Sequence, residues 1–271
     1  MERIKQAIEK AKKQQIDQAG QAAQMQPINE IEKNALHVAE HVQNELLSVK
    51  YQQTRVVKLN EKQLEENRIF AFNKNDPLSL AFDVLRTQIL QKMDEQGWRT
   101  LAITSPTPAV GKTVIAINLA MSIAQKTDRS AILVDFDLRQ PRIGSYLGIP
   151  MEISLNNLLD GKAGMADILV NPGIERLVVA PTRHAVRNPA ETLSSGKVSD
   201  LIKDLRERYE SRIVIIDLPS LLHSDDAISL IPQVDCILMV IANGMATSRE
   251  IENSLRHLSK ANLIGTVFNK A

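Results

Sequence analysis

Residues 104–113 read Thr-Ser-Pro-Thr-Pro-Ala-Val-Gly-Lys-Thr, and no other stretch limits the fold of this chain as strongly. An apolar run, 101–103, precedes them and a helical apolar run, 114–120, follows. A strand, a tight loop closing on Gly-Lys-Thr and a helix make a phosphate cradle, because the loop's N–H groups and the helix N-terminus point at one anion. Pro108, Ala109, Val110, Gly111 and Val114 then line the cradle. Lys112 reaches the outer phosphates, and the hydroxyl of Thr113 completes a Mg²⁺ shell. The loop departs from the usual pattern. Pro106 stands at the first glycine, and Ala109 and Val110 fill positions where small, permissive residues are common.

The pattern around the loop repeats. Short apolar runs at 101–103, 131–134, 177–180, 213–216, 237–241 and 263–268 alternate with helical runs at 80–93, 114–125, 189–209, 227–231 and 248–258. Alternation of this kind predicts a doubly wound α/β fold, a mostly parallel sheet covered by helices on both faces. Ligands in such sheets bind beyond the carboxyl ends of the strands.

Two further runs deliver charge to that end. Residues 132–139, Ile-Leu-Val-Asp-Phe-Asp-Leu-Arg, lead a strand into Asp135, Asp137 and Arg139. Two residues apart, the carboxylates of Asp135 and Asp137 share a face if the strand continues. Residues 213–219, Ile-Val-Ile-Ile-Asp-Leu-Pro, end another strand in Asp217. Phosphoryl transfer needs metal-held phosphates, charge compensation and a positioned nucleophile rather than covalent help. Carboxylates at neighbouring strand ends can hold Mg²⁺, and one can accept a proton from the attacking group. Each motif alone is common; their order and flanks together predict nucleotide binding with a Mg²⁺ site.

Composition removes several alternatives. A net charge of +1 argues against a broadly basic nucleic-acid binder, and aromatics at 3% supply few stacking platforms. The single cysteine, Cys236, sits in an apolar run and reads as a buried thiol in a reducing compartment. No apolar run has the length of a membrane span, and the first residues are too polar for a signal peptide. The expected location is the cytoplasm, with recruitment to the inner face of the membrane through a partner. Residues 1–75 differ from the rest, rich in Gln, Lys and Glu, and are expected to form a helical, polar N-terminal extension and linker before a nucleotide-binding domain over 76–271. Ile4, Ala7, Ile8 and Ala11 share one helical face, Pro27 breaks that helix, a second runs over 29–47, and 54–59 reads as a short strand. His37 and His41 match a His-x-x-Glu-His zinc pattern, but with no further ligand nearby they read as a solvated helix face. His184, His223 and His257 read as surface or loop residues.

The run 135–139, Asp-Phe-Asp-Leu-Arg, resembles the second Walker motif of the bacterial tyrosine kinases of exopolysaccharide and capsule assembly, whose fold resembles the MinD/ParA group of P-loop ATPases. The similarity extends from about residue 51 onward, through 105–108, 116–120, 139–141, 146–148, 188–191, 217–219, 225–227 and 265–269. It implies roles. Lys112 binds the β- and γ-phosphates, and Thr113, Asp137 and Asp217 form the metal shell. Asp135 receives a tyrosyl proton with Arg139 as a nearby charge partner, and Asn269 lies near the adenine. It also implies a membrane polysaccharide co-polymerase as partner, docking through its cytoplasmic tail, and a homo-oligomer.

The chain departs from that family in places. The family loop reads Pro-Gly-Glu-Gly-Lys where this chain has Pro-Ala-Val-Gly-Lys at 108–112. Of the family's Glu-x-x-Arg-x-x-Arg oligomerisation helix, only Arg86 matches, with Leu80 and Asp83 at the other positions. The tyrosines are Tyr51, Tyr146 and Tyr209, so phosphorylation of a C-terminal tyrosine cluster is not expected, and residues 218–220, Leu-Pro-Ser, stand where a Pro-Pro pair is common. Two alternatives follow: a nucleotide-gated scaffold without transfer, and a MinD/ParA-like positioning ATPase. Thr107 in place of that group's loop lysine disfavours the second.

Overall fold

A computed structural model describes residues 54–270. The expected helices over 4–11 and 29–47, the His37/His41 pair and Tyr51 lie outside the described residues. The described part forms one eight-stranded sheet among these residues, in the order β1-β4-β5-β3-β6-β2-β7-β8. Its strands are β1 (Arg55–Val56), β2 (Thr100–Thr104), β3 (Ser130–Asp135), β4 (Val170–Asn171), β5 (Leu177–Ala180), β6 (Arg212–Asp217), β7 (Cys236–Ala242) and β8 (Leu263–Asn269). All six runs read as strands are present.

Strands β2 and β6 are buried along their whole length, which is why they read as unbroken apolar runs rather than alternating ones. Their side chains nevertheless divide by period two. Leu101, Ile103, Leu133, Ile213 and Ile215 pack into one core, while Ala102, Ile132, Val134, Val214 and Ile216 pack into the other. Helices cover both. On the first face lie α2 (Ser79–Gln96), through Ile89 and Met93, and α3 (Lys112–Lys126), through Ile115, Leu119 and Ile123. On the second lie α8 (Gly196–Glu207), through Val198, Ile202 and Leu205, and α9 (Asp226–Leu230), through Ala227 and Leu230. Helix α10 (Ser248–His257) starts in a capping box, with Thr247 Oγ1 accepting from the N–H of Glu250. Cys236 is buried, and burial pushes its thiol up to about 12, as a structural thiol requires.

The topology places the site. β6 lies between β3 and β2, and all three are parallel. Asp217 at the end of β6 is in register with Asp135 of β3 on one side and Ile103 of β2 on the other. The chain leaves β2 directly into the loop that opens α3. The three polar segments found in the sequence therefore emerge side by side at one edge.

The remaining elements are short. They are α1 (Glu61–Glu66), α4 (Ile143–Leu147), α5 (Leu155–Leu159), α6 (Met165–Ile168) and α7 (Pro189–Leu193). One expected helical run, 189–209, divides into α7 and α8 at Ser194 and Ser195. β4 pairs antiparallel with β5, and β1 pairs parallel with β4, so that edge of the sheet runs against the rest.

The packing also changes earlier in the chain than the expected boundary at 75. Contacts divide the chain between residues 50 and 51. β1 joins the sheet, and Leu64, Ile69 and Ala71 are buried in the first core. The stretch expected to be a plain connection is held by Asn118 of α3. The buried Asn118 Oδ1 accepts from the N–H groups of Phe70 (2.8 Å) and Ala71 (2.9 Å), and its Nδ2 donates to the carbonyls of Arg68 and Val114. Asn118→Leu strands those two N–H groups inside the protein. The expected cost is about 2–4 kcal/mol of stability, read as a lowered denaturant midpoint.

Candidate active site

The chain passes from β2 through the loop into α3. Gly111 takes φ +96° at the N-cap of α3, a conformation glycine adopts without penalty. A Cβ there would also lie 2.4 Å from Asn269 Nδ2, so a side chain would be strained and would displace the Asn269 amide. Ala109 takes φ +60°. In that region a Cβ crowds the following carbonyl, at a cost of roughly 1–2 kcal/mol. Ala109→Gly is therefore expected to raise stability by about 1 kcal/mol and the thermal midpoint by about 2–4 °C, measured by calorimetry.

Three contacts fix the loop from outside. Asn269 Nδ2 donates to the Val110 carbonyl (2.7 Å), Lys270 Nζ to the Ala109 carbonyl (2.7 Å), and Thr107 Oγ1 to the Met245 carbonyl (2.7 Å). Asn269, implied by the resemblance to lie near the adenine, thus braces the loop. Val110 is fully buried in the first core and contributes its backbone alone to the cradle.

Beside the loop opens a cavity of about 560 Å³, within the range of small-molecule sites. Pro108, Ala109, Gly111, Lys112, Thr113 and Val114 line one side, and Asp137 and Arg139 line another. Under the loop, Thr113 Oγ1 donates to Asp217 Oδ2 at 2.6 Å. Asp217 and Asp135 are both fully buried, and in each the Oδ1 atom has no hydrogen-bond partner. Among the described residues no three carboxylates converge into a preformed metal cluster, but the orphaned oxygen of Asp217 and the Thr113 hydroxyl it touches are hard oxygen donors. That chemistry fits Mg²⁺.

The electrostatics agree with the burial. Burial is the main cause that lifts Asp217 to about 7, with Asp137 adding to it against the opposing pull of Lys112 and the Thr113 hydroxyl. Burial, then the charge of Asp217, raises Asp135 well above the usual carboxylate range, although the N–H groups of Ile143 and Arg142 oppose the rise. Burial also raises Asp137, against the N–H of Gln140 and the charge of Lys112. Without a cation, the site disfavours the charge it presents.

Asp135 and Asp137 do not share a face. β3 ends at Asp135, and the chain turns immediately. Asp135 Oδ2 accepts from the N–H groups of Arg142 (3.1 Å) and Ile143 (3.0 Å) and caps the start of α4 from below, while Asp137 lines the cavity. Arg139 pairs with the fully buried Asp226, its Nη2 donating to Oδ1 at 3.1 Å. Ser224 Oγ holds the other oxygen of Asp226 at 2.9 Å. The cavity also has walls that the motifs did not announce. Arg68, Arg142, Tyr146, His223 and Lys270 face it, delivered by topology from four separate segments, Arg142 and Tyr146 sharing α4 and its N-cap. Only Tyr146, in the resembling run 146–148, and Lys270, as the neighbour of Asn269, carried a hint.

No protein-family model matches the chain. Curated relatives do. The tyrosine-protein kinase ptk of Acinetobacter johnsonii is 29% identical over 195 residues, covering 71% of this chain and 26% of its own length. The chain thus spans about a quarter of the length of the curated relatives it matches. Among solved structures, the VpsO kinase domain is 30% identical with a TM-score of 0.64, covering 71% of this chain and 96% of that one. The septum site-determining protein MinD of Pyrococcus horikoshii, solved with Mg-ADP, shares the fold at 23% identity and a TM-score of 0.53, over 63% of this chain and 68% of its own. With the cradle, the two strand-end carboxylates and the parallel sheet in the same order, the chain belongs to the bacterial tyrosine-kinase family, on a MinD-like P-loop fold.

Proposed function

We propose that this chain binds ATP with Mg²⁺ and transfers the γ-phosphate to tyrosine, serving exopolysaccharide synthesis or export beside a membrane co-polymerase whose cytoplasmic tail docks on it. The observation that carries the reading is the part-buried Thr113–Asp217 contact next to Lys112 in sequence, with two unsatisfied carboxylate oxygens at neighbouring strand ends. The loop N–H groups and Lys112 hold the phosphates, and Thr113, Asp217 and Asp137 supply the oxygen ligands of the metal. A Mg²⁺ held there would supply neutralisation of the charge that grows on the terminal phosphates. Asp137 lines the cavity and Asp135 does not, so Asp137 is the better placed to take the acceptor's proton. Asp135 then orients the turn into α4, and Arg139 is held at the rim by Asp226.

Calorimetric titration with ATP, with and without Mg²⁺, tests the binding half. Binding strengthened by Mg²⁺ supports the reading, and its absence overturns it. Ala109 at positive φ favours one second reading, a nucleotide-gated scaffold. Strain in the loop leaves the backbone donors in place while misplacing the reacting phosphate. Tight ATP binding with no phosphorylated tyrosine would establish the scaffold in place of the kinase.

A further inference from the structure

The cavity carries two cations that the nucleotide motifs do not explain, Arg68 and Arg142. A third, Lys270, is tied to the Ala109 carbonyl. Arg142 opens the turn whose N–H groups hold Asp135, so it lies next to the carboxylate pair. Arg68 comes from the segment after α1. The two walls are joined: Asn67 Nδ2 donates to the Tyr146 carbonyl (3.0 Å), and Gln63 Nε2 to that of Ser145 (3.0 Å).

Three features mark Arg68. It is the C′ residue of α1 at φ +60°, in a Schellman cap where the N–H of Arg68 bonds to the Glu65 carbonyl and that of Ile69 to the Leu64 carbonyl. The buried Asn118 of the P-loop helix also holds this turn, at Arg68 O, Phe70 N and Ala71 N. The guanidinium so placed faces the cavity, yet among the described residues neither Arg68 nor Arg142 is paired with a carboxylate. Arg139, by contrast, is committed to Asp226. The one carboxylate beside Arg68 on that wall, Glu66, is exposed and already faces Lys62 at 4.0 Å. Two uncommitted planar cations, both exposed, therefore line the same cavity as Lys112 and Asp137. In-line transfer needs an acceptor hydroxyl in that cavity, opposite the leaving phosphates.

We propose that Arg68 and Arg142 form the acceptor side of the cavity and select tyrosines flanked by carboxylates. This rests on the kinase reading above. Guanidinium groups bind carboxylates through paired N–H donors. Asn118 acts as a positioning residue, holding the arginine relative to the phosphate cradle.

The test uses two fluorescent tyrosine peptides, one flanked by glutamate and one by glutamine, titrated into the full chain with and without Mg²⁺ and a non-hydrolysable ATP analogue. The glutamate peptide is expected to bind about tenfold tighter, with that preference lost in Arg68→Ala and Arg142→Ala and partly kept in Arg68→Lys. Equal binding of the two peptides by the wild-type chain, or an unchanged preference in both alanine variants, overturns the proposal. So does a fall in analogue affinity that matches the fall in peptide affinity, because the arginines then serve the polyphosphate. If the analogue fails to bind the wild-type chain, the kinase reading fails, while the titrations without analogue still judge the arginines.

Discussion

Lys112→Met is expected to weaken binding of Mg-ATP by about 10–100-fold and to cut transfer by at least a further order of magnitude. The lysine is buried at the start of α3, with 7% of its surface exposed, and it faces the cavity beside Asp137. One charge-assisted hydrogen bond to a phosphate is worth about 1.5–3 kcal/mol. The additional loss in transfer follows because charge on the moving phosphoryl group grows along the reaction, so a fixed cation is worth more there than in the ground state. Methionine keeps most of the volume, so the fold survives and the comparison is clean. Binding by calorimetry and transfer by label incorporation, taken on the same preparation, separate the two effects.

The second large effect is one of stability. Asp217→Asn is expected to stabilise the nucleotide-free protein at pH 8 by a few kcal/mol and to weaken Mg²⁺-dependent ATP binding by at least about tenfold. Burial holds the native Asp217 carboxyl up at about 7, while an unfolded aspartate titrates near 3.9. Below about pH 4 both states carry the proton. Between about 4 and 7 the folded state keeps a proton that the unfolded chain has released, so stability falls as pH rises across that window and levels off above it. Asparagine removes the charge, and its amide oxygen can still accept the Thr113 hydroxyl. Asp135 remains raised by its own burial, so the variant flattens the pH profile without abolishing it. Denaturant unfolding at pH 5 and pH 8 for both proteins reads the effect. A wild-type protein equally stable at both pH values contradicts it. The site would then be a case of function maintained against stability, with the cation restoring what the carboxylates cost.

How much of this was legible in the sequence depended on whether a feature is local. The central strands were visible because burial on both faces leaves only apolar residues along them, as in β6. The cradle was visible because its spacing and its flanks are set by one turn. β4 is two residues long and pairs antiparallel, and nothing in so short a run distinguishes it from a loop. Asp135 and Asp137 would share a face only on a continuing strand, and β3 stops at Asp135, an end that spacing alone does not reveal. Asn118 sits in an apolar helical run, where it reads as an ordinary interruption. Three of its four hydrogen bonds to the backbone reach residues 47 to 50 positions away and exist only in the folded chain; the fourth goes to the Val114 carbonyl one helical turn back. Arg68, Arg142 and Tyr146 meet for the same reason. Residues distant along the chain became neighbours through topology, which motif spacing does not encode.

The most direct measurement is phosphotyrosine formed by the purified chain with Mg-ATP and a tyrosine-containing acceptor, mapped by mass spectrometry, wild type beside Lys112→Met. Phosphotyrosine in the wild-type reaction and none with the variant is the expected result. Bound ATP with no phosphotyrosine in either reaction, or equal labelling by both proteins, would contradict transfer at this site.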